Sequence, residues 1–371
     1  MRSSILRGLM SLSLLLIGLC VKAQSAHTIS GQVVDENQKP ITGATVFIDG
    51  TQAATATNET GRFNMVVPGP GSYRLSVKML GYDVARKEVM LKETSINVDF
   101  TLAVKSFVLN QVNIGSDKNW AKNFEIFKKQ FLGNTPNALK CRIVNPEVIN
   151  FSTKKNVLLA GADDFLIIEN PQLGYRIKYL LKTFQHNTLN TITSYDGDVV
   201  FEELPGAPRQ KTEWAKNRQL AYAGSMMHFL RSVFTNTTLQ EGFIVNQVYK
   251  RGSARFYDNK PVKFDTLVTA LDTAFVQLHF TGLHIIYDPG KAAGLLKPEK
   301  APAADNSPSN TESRPKGSEL TAYAKEIIID ASGKVFSGAL MSFLIRGEWT
   351  YKRVADQLPF EYQPSTQPSS P

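Results

Sequence analysis

The sequence predicts a mainly β protein with two helices: an all-β sandwich followed by a sheet-rich α+β domain. Three observations lead there. Residues 27–104 read as short alternating strands with turn signals about every 8–12 residues. Two later segments, near 120–132 and 213–234, place apolar residues at helical spacing. Around those helices, β-branched and aromatic runs alternate with polar residues. With 371 residues, 42% of them hydrophobic, the chain is long enough for two or three cored domains and too apolar to be disordered.

Residues 1–23 have the layout of a secretory leader. Arg2 and Arg7 supply the positive start, Leu9 to Leu19 the apolar centre, and Val21-Lys22-Ala23 the residues before a cut at Gln24. The apolar run is about a dozen residues, short of the roughly 20 that span a bilayer. The expectation is a cleaved leader and an exported protein that is periplasmic, outer-membrane-associated or on the cell surface. Cys20 follows Leu19, where lipid attachment wants a small residue, so lipidation is not expected. Cleavage removes Arg2, Arg7 and Lys22 and leaves six more basic than acidic residues, with no basic run. That is a solubility charge and not a nucleic-acid footprint. It also leaves one cysteine, Cys141, expected as a buried small hydrophobe. A disulfide scaffold and a cysteine-rich zinc module are excluded.

In the first domain, Ile29, Gly31 and Val33 alternate with polar residues, and Asp35 to Pro40 is turn chemistry. Ala44 to Ile48 is an apolar strand closed by Asp49-Gly50. Thr51 to Thr57 is a polar strand, and Asn58 to Gly61 turns into the alternating Phe63, Met65 and Val67. Pro68 to Gly71 breaks the chain before Tyr73, Leu75 and Val77. Strands at Ala85 to Leu91 and Ser95 to Leu102 complete the set.

These residues carry a resemblance. Gly31-x-Val33-x-Asp35, Pro40-Ile41-x-Gly43-Ala44-x-Val46, Thr57-Asn58-x-x-Gly61-x-Phe63, Gly71-x-Tyr73-x-Leu75 and Gly81-Tyr82 resemble the carboxypeptidase regulatory-like domain over about 75 residues. The resemblance implies a transthyretin-like, seven-stranded sandwich acting as a folding, spacing or binding module. It does not imply a peptidase. A zinc carboxypeptidase needs His-x-x-Glu and a distant His, and none of the five histidines begins such a pair. The chain also lacks a Gly-x-Ser-x-Gly elbow and a phosphate-binding loop. No cofactor and no metal are expected.

Residues 105–116 read as a linker, and 117–362 as the α+β domain. Trp120, Phe124, Phe127 and Phe131 fall within about 60° on a helix, a stripe that docks on a large apolar surface; Gly133-Asn134 ends it. Strands are expected at Val157 to Ala160, Phe165 to Ile168, Tyr175 to Phe184, Val199 to Leu204 and Phe275 to Tyr287, and a strand pair from Leu320 to Ile329 and Lys334 to Tyr351. Residues 291–318, rich in Ala, Pro, Ser, Asn and Lys, read as a disordered insert, and 363–371 as a disordered tail. His279 and His284 are too few for a metal site.

The sharpest site candidate lies on the second helix, read as continuous over 213–234 with Thr212 as its N-cap. Arg218, Ser225 and His228 share one face, and the helix is nearly uncharged beyond Arg218, as if covered on both sides. A hydrolase reading makes Ser225 the nucleophile and His228 its base, but no acid is placed locally to orient His228. A binding reading aims Arg218 and His228 at an anion. A structural reading makes all three a hydrogen-bonded cluster. Trp214-x-x-Asn217-Arg218, Tyr222-x-Gly224-Ser225-x-x-His228-Phe229-Leu230-Arg231 and the Arg353-to-Tyr362 ending also resemble uncharacterised secreted Bacteroidota-type proteins, which adds no chemistry.

The leading expectation is a non-enzymatic envelope protein. Its sandwich is an adaptor or binding module, and its second domain binds an envelope partner, a glycan or a peptide, with membrane association only through a partner. The alternatives are a hydrolase or peptidase-like enzyme around Arg218, Ser225 and His228, and a small outer-membrane barrel. The charge-poor helix and the non-aromatic last residue, Pro371, argue against the barrel.

Overall fold

The computed structural model describes residues 27–105, 119–251, 254–296, 316–336 and 342–365. The leader, most of the 105–116 linker, most of the 291–318 insert and most of the tail lie outside those residues.

The N-terminal sandwich holds β1 (His27–Asp35), β2 (Thr45–Ile48), β3 (Ala54–Ala56), β4 (Arg62–Val67), β5 (Gly71–Lys78), β6 (Ala85–Leu91), β7 (Ser95–Asn97) and β8 (Phe100–Leu102). One sheet runs β4-β1-β7 with β8 also on β1, and the other runs β3-β2-β5-β6. β7 and β8 both pair parallel to β1 and act as one strand interrupted at Val98-Asp99, so the expected seven positions are present. β4 alternates exposed and buried, with Phe63, Met65 and Val67 in the core. β2 does not alternate. Val46 and Ile48 enter the sandwich core, while Phe47 points out of it and is still fully buried, against Leu180 and Val200. An uninterrupted apolar strand reports burial on both faces, and here the second face is a domain contact.

The middle of the chain is a six-stranded sheet: β9 (Arg142–Ile143), β10 (Ile149–Lys154), β11 (Val157–Ala162), β12 (Leu166–Asn170), β13 (Tyr175–Asn187) and β14 (Thr193–Glu203). The long β13 is flanked by β14 on one side and by β11 and β12, end to end, on the other. α1 (Trp120–Leu132) docks on this sheet as its stripe predicts. Phe131 packs edge-on to Tyr179, Phe184 and Tyr195 at 4.9, 6.4 and 5.2 Å. The short α2 (Pro136–Lys140) follows. Cys141 is buried in this core, and burial raises its thiol pKa to about 12.

Residues 213–234 are two helices and not one. α3 (Pro208–Tyr222) starts at Pro208, not after Thr212, whose hydroxyl bonds back to the Pro208 carbonyl. α4 (Met226–Phe234) starts after a break at Gly224, which adopts φ +67°, a conformation other residues rarely accept. The break resets the helical phase. α3 is therefore charged and partly exposed, with Leu220 65% exposed, and only α4 is buried deeply.

The last third is a second sandwich. Its strands are β15 (Phe243–Arg251), β16 (Ala254–Pro261), β17 (Val268–Ala270), β18 (Phe275–Leu278), β19 (Gly282–Tyr287), β20 (Ser318–Ala322), β21 (Ile327–Asp330), β22 (Val335–Phe336) and β23 (Phe343–Gly347), with a short α5 (Pro289–Leu295) after β19. The sheets run β16-β15-β19-β20-β23 and β17-β18-β21-β22. The expected single strands at Phe275 to Tyr287 and Leu320 to Ile329 each divide into two that join opposite sheets. α4 closes the core with Phe229, Leu230 and Val233. Among the described residues, the strands form open sheets and no closed barrel.

Candidate functional site

The three predicted site residues are not assembled as a catalytic set. Ser225 is the N-cap of α4, and its Oγ accepts from the His228 backbone N–H at 3.1 Å. The His228 ring faces elsewhere. Its Nδ1 accepts from the Gly224 N–H at 3.1 Å, so the neutral ring carries its proton on Nε2, which donates to Glu241 Oε2 at 3.1 Å. The ring stacks on Tyr222 at 4.6 Å and meets Phe243 and Tyr287 edge-on. Burial holds the imidazole below the ordinary histidine range, against the pull of Glu241. An acid is therefore present, but both ring nitrogens are occupied and neither meets Ser225 Oγ.

Arg218 belongs to a different knot. Its guanidinium lies 3.9 Å from the Tyr175 ring centre. It donates to the Leu173 carbonyl at 2.7 Å, to Glu203 at 2.7 Å and to the Gly174 carbonyl at 3.4 Å. The arginine pins the turn between β12 and β13, where the buried Asn170 side chain also receives the Leu173 N–H and donates to the Ala355 carbonyl. His279 is exposed and His284 is buried on β19, so they do not face a shared centre.

The feature that sequence reasoning missed is where the domains meet. The Asp49-Gly50-Thr51 turn after β2 wedges between β14 and the segment around Phe360. The Gly50 N–H donates to the Val199 carbonyl and the Phe201 N–H to the Thr51 carbonyl, while Phe360 N–H donates to the Gly50 carbonyl. Asp49 Oδ1 accepts from the Val199 N–H at 2.8 Å. Gly50 has φ +76°, and a Cβ there would lie 2.4 Å from the Phe360 ring. Arg86 pairs with the buried Asp198 at 2.5 Å, and the Ser72 N–H donates to Asp330 at 2.8 Å. Burial, and then Asp49, raise the Asp198 carboxyl above its ordinary range.

A cavity of about 370 Å³ lies at this junction, walled by all three parts of the chain. The first domain contributes Asp49, Gly50 and Arg74. The middle sheet contributes Tyr179, Val199 and Phe201. The start of α4 contributes Ser225, Met226, Met227 and Leu230, and the final segments contribute Lys334, Trp349, Lys352, Asp356, Leu358 and Phe360. Lys334 is 6% exposed, and its Nζ donates to the Asp49 carbonyl at 3.2 Å. Burial pushes its ammonium below the ordinary lysine range. Only the Asp49-Gly50 pair could have hinted at this place: a turn glycine beside an acid, after a strand buried on both faces.

A second cleft of about 340 Å³ sits on the five-stranded sheet and is lined by Gln247, Tyr249, Arg255, Thr281, Glu319 and Thr321, among others. Glu319 accepts from Tyr257 at 2.6 Å and from Arg255 at 3.0 Å, and Tyr249 is half exposed.

No curated protein matches the chain at a significant level. Among solved structures, 5-hydroxyisourate hydrolase of Klebsiella pneumoniae is similar at 21% identity, covering 21% of this chain and 91% of that one, with a TM-score of 0.19. A type II cohesin–X-dockerin complex from Acetivibrio cellulolyticus is similar at 17% identity, covering 27% and 72%, with a TM-score of 0.20. A putative carbohydrate binding protein from Bacteroides uniformis is similar at 12% identity, covering 42% and 58%, with a TM-score of 0.19. Residues 29–114 match the model of the CarboxypepD_reg-like domain, and the N-terminal sandwich is a domain of that family.

Proposed function

We propose that the chain is an exported, non-enzymatic binding protein of the cell envelope, and that its sandwich forms one wall of the ligand site. The observation that carries this reading is the junction cavity. It draws residues from all three parts of the chain, Ser225 among them as the cap of α4, whereas His228 and Arg218 are committed to backbone, carboxylates and packing away from it. The regulatory-like domain then acts as a fixed wall held by backbone hydrogen bonds to β14, not as a tethered module.

Native mass spectrometry of the full chain, incubated with an envelope extract, tests this. Wild type should retain a small ligand that Met227→Trp, which fills the cavity, does not. Identical spectra for the two proteins would sink the reading. Fractionation tests the address: protein that stays cytoplasmic with residues 1–23 uncleaved would count against export.

The cleft on the five-stranded sheet supports a second reading, glycan binding by the last sandwich. An exposed tyrosine face beside amide, guanidinium, carboxylate and hydroxyl groups suits a sugar ring with its hydroxyls. On a soluble glycan array, Tyr249→Ala should lose any signal that Met227→Trp leaves intact.

A further inference from the structure

We infer that the tip of the β13–β14 hairpin docks directly on an anionic lipid surface, Leu189 and Ile192 entering the headgroup region and Lys154 and Lys155 meeting lipid phosphates beside them. This site is separate from the junction cavity and does not depend on it. Leu189 is 76% and Ile192 61% exposed, and both sit on the loop that joins the two strands. Exposed aliphatic side chains are ordinary when scattered singly. The surroundings of this pair set it apart.

The loop is closed on itself. The Asn187 N–H donates to the Ile192 carbonyl at 2.9 Å. Asn187 Oδ1 receives the N–H groups of Leu189 and Asn190 at 2.9 and 3.4 Å, and Asn190 Oδ1 receives that of Ile192 at 3.1 Å. These bonds hold the two aliphatic side chains outward on a fixed frame. They also give the loop backbone acceptors of its own, which a chain entering a lipid interface needs, because an unpaired N–H is costly there.

The charge beside the tip has one sign. The β10–β11 turn lies against it, the Asn156 carbonyl accepting from the Thr188 N–H at 2.9 Å and the Thr188 hydroxyl at 3.1 Å. That turn carries Lys154 and Lys155, both exposed, and none of the ion pairs among the described residues includes either. No acidic residue occurs in 148–162 or 170–195, and the next one along, Asp196, pairs with Lys182 at 3.2 Å. α1 reaches the base of the hairpin, where Gln130 Oε1 accepts from Thr193 Oγ1 at 3.2 Å and Arg353 donates to the Gln130 carbonyl. The last turn of α1 is basic at Lys129, and its one acid, Glu125, lies further back.

Leu80 gives the comparison. It is 90% exposed, but the lysines near it, Lys78 and Lys105, are paired with Asp164 and Asp163. That surface is charge-balanced, and the hairpin tip is not. Lysine stems let the ammonium stay with phosphates while neighbouring aliphatic groups sit deeper. Each lysine near an anionic leaflet adds about fivefold in affinity. A projecting tip also inserts into a yielding surface more readily than it fits a rigid partner.

Flotation with lipid vesicles decides it, using the chain from Gln24 onward so that the apolar leader cannot itself insert. Wild type should bind vesicles of phosphatidylcholine containing about one-third phosphatidylglycerol, and bind pure phosphatidylcholine about tenfold or more weakly. Leu189→Ser with Ile192→Ser, and separately Lys154→Gln with Lys155→Gln, should each weaken binding about tenfold, while Leu80→Ser leaves it unchanged. All five positions are exposed, so the urea midpoints should match wild type. Absence of wild-type binding to the anionic vesicles overturns the inference. Binding that the serine pair does not weaken overturns it as well, since adsorption is then by charge alone. Lysine-dependent capture on immobilised polyglutamate without vesicle binding overturns it in favour of an acidic protein partner.

Discussion

Two parts of the molecule gather polar side chains inside apolar surroundings: the α3–α4 corner and the domain junction. At the corner every group ends in a bond. Ser225 caps α4, His228 uses both ring nitrogens, and Arg218 reaches two carbonyls, a carboxylate and a ring face. At the junction the bonds tie the domains together around a cavity, with the Lys334 ammonium on its wall donating to the Asp49 carbonyl and lying 5.3 Å from the Phe360 ring centre. Chemistry-bearing residue types occur in both. What separates architecture from a candidate site is polar side chains that border empty space.

The contrast can be broken in several ways. The largest effect is expected at Gly50. Gly50→Val forces a side chain into the Phe360 ring at positive φ, and should cost about 3 kcal/mol through strain and overpacking. Urea unfolding should then split into two transitions as the sandwich separates. A single transition with an unmoved midpoint would show that the turn does not hold the domains together.

Arg218→Met comes next. It should lower stability by about 2 kcal/mol, from lost carbonyl bonds and the stack on Tyr175, while the ligand retained from the envelope extract stays bound. A variant of normal stability that binds poorly would move the site to the corner. Ser225→Ala should cost about 1 kcal/mol as a lost N-cap, and Ser225→Asn should restore it. A nucleophile would tolerate neither replacement, so retention of function in the Asn variant is the discriminating result.

The smallest effect concerns pH. Burial lowers the folded pKa of His228 below its unfolded value, so the unfolded chain takes up the proton first as pH falls. The stability linked to His228 is complete above the ordinary histidine range and is lost as pH falls from there through the folded pKa. Wild type should lose more urea resistance between pH 7.5 and 5.5 than His228→Gln, and equal losses would contradict the assignment.

Much of this was legible in the chain, and the failures share a cause. The first domain reads cleanly because its period-two alternation and turn residues act locally. Phe63, Met65 and Val67 alternate as their strand requires, and the aromatic stripe of α1 predicts its docking face. The helix break was also written locally, as Gly224 followed by the capping Ser225, but the apolar spacing on both sides mimicked one helix. The strands from Phe275 to Tyr287 and Leu320 to Ile329 were read as continuous because sheet membership depends on partners far away in sequence. The junction was the least visible feature. Asp49, Lys334 and Phe360 come together only through tertiary contacts, and no local pattern encodes their neighbours.

The wedge around Gly50 has a consequence in time. The Gln52 N–H donates to Glu361, a partner 309 positions later. Arg231 of α4 steadies that late segment by donating to the carbonyls of Phe360 and Tyr362. A chain emerging from its N-terminus completes the first sandwich early, yet Phe47 stays uncovered until β14 has been made, and the Gly50 carbonyl and the Gln52 N–H wait for Phe360 and Glu361. Closure over so long a separation is slow. Until the middle sheet is made, the apolar back of β2 is open to other contacts, and the turn that follows it stays incompletely bonded until the final segment arrives, so the order in which the chain appears leaves this protein dependent on whatever shields that surface meanwhile.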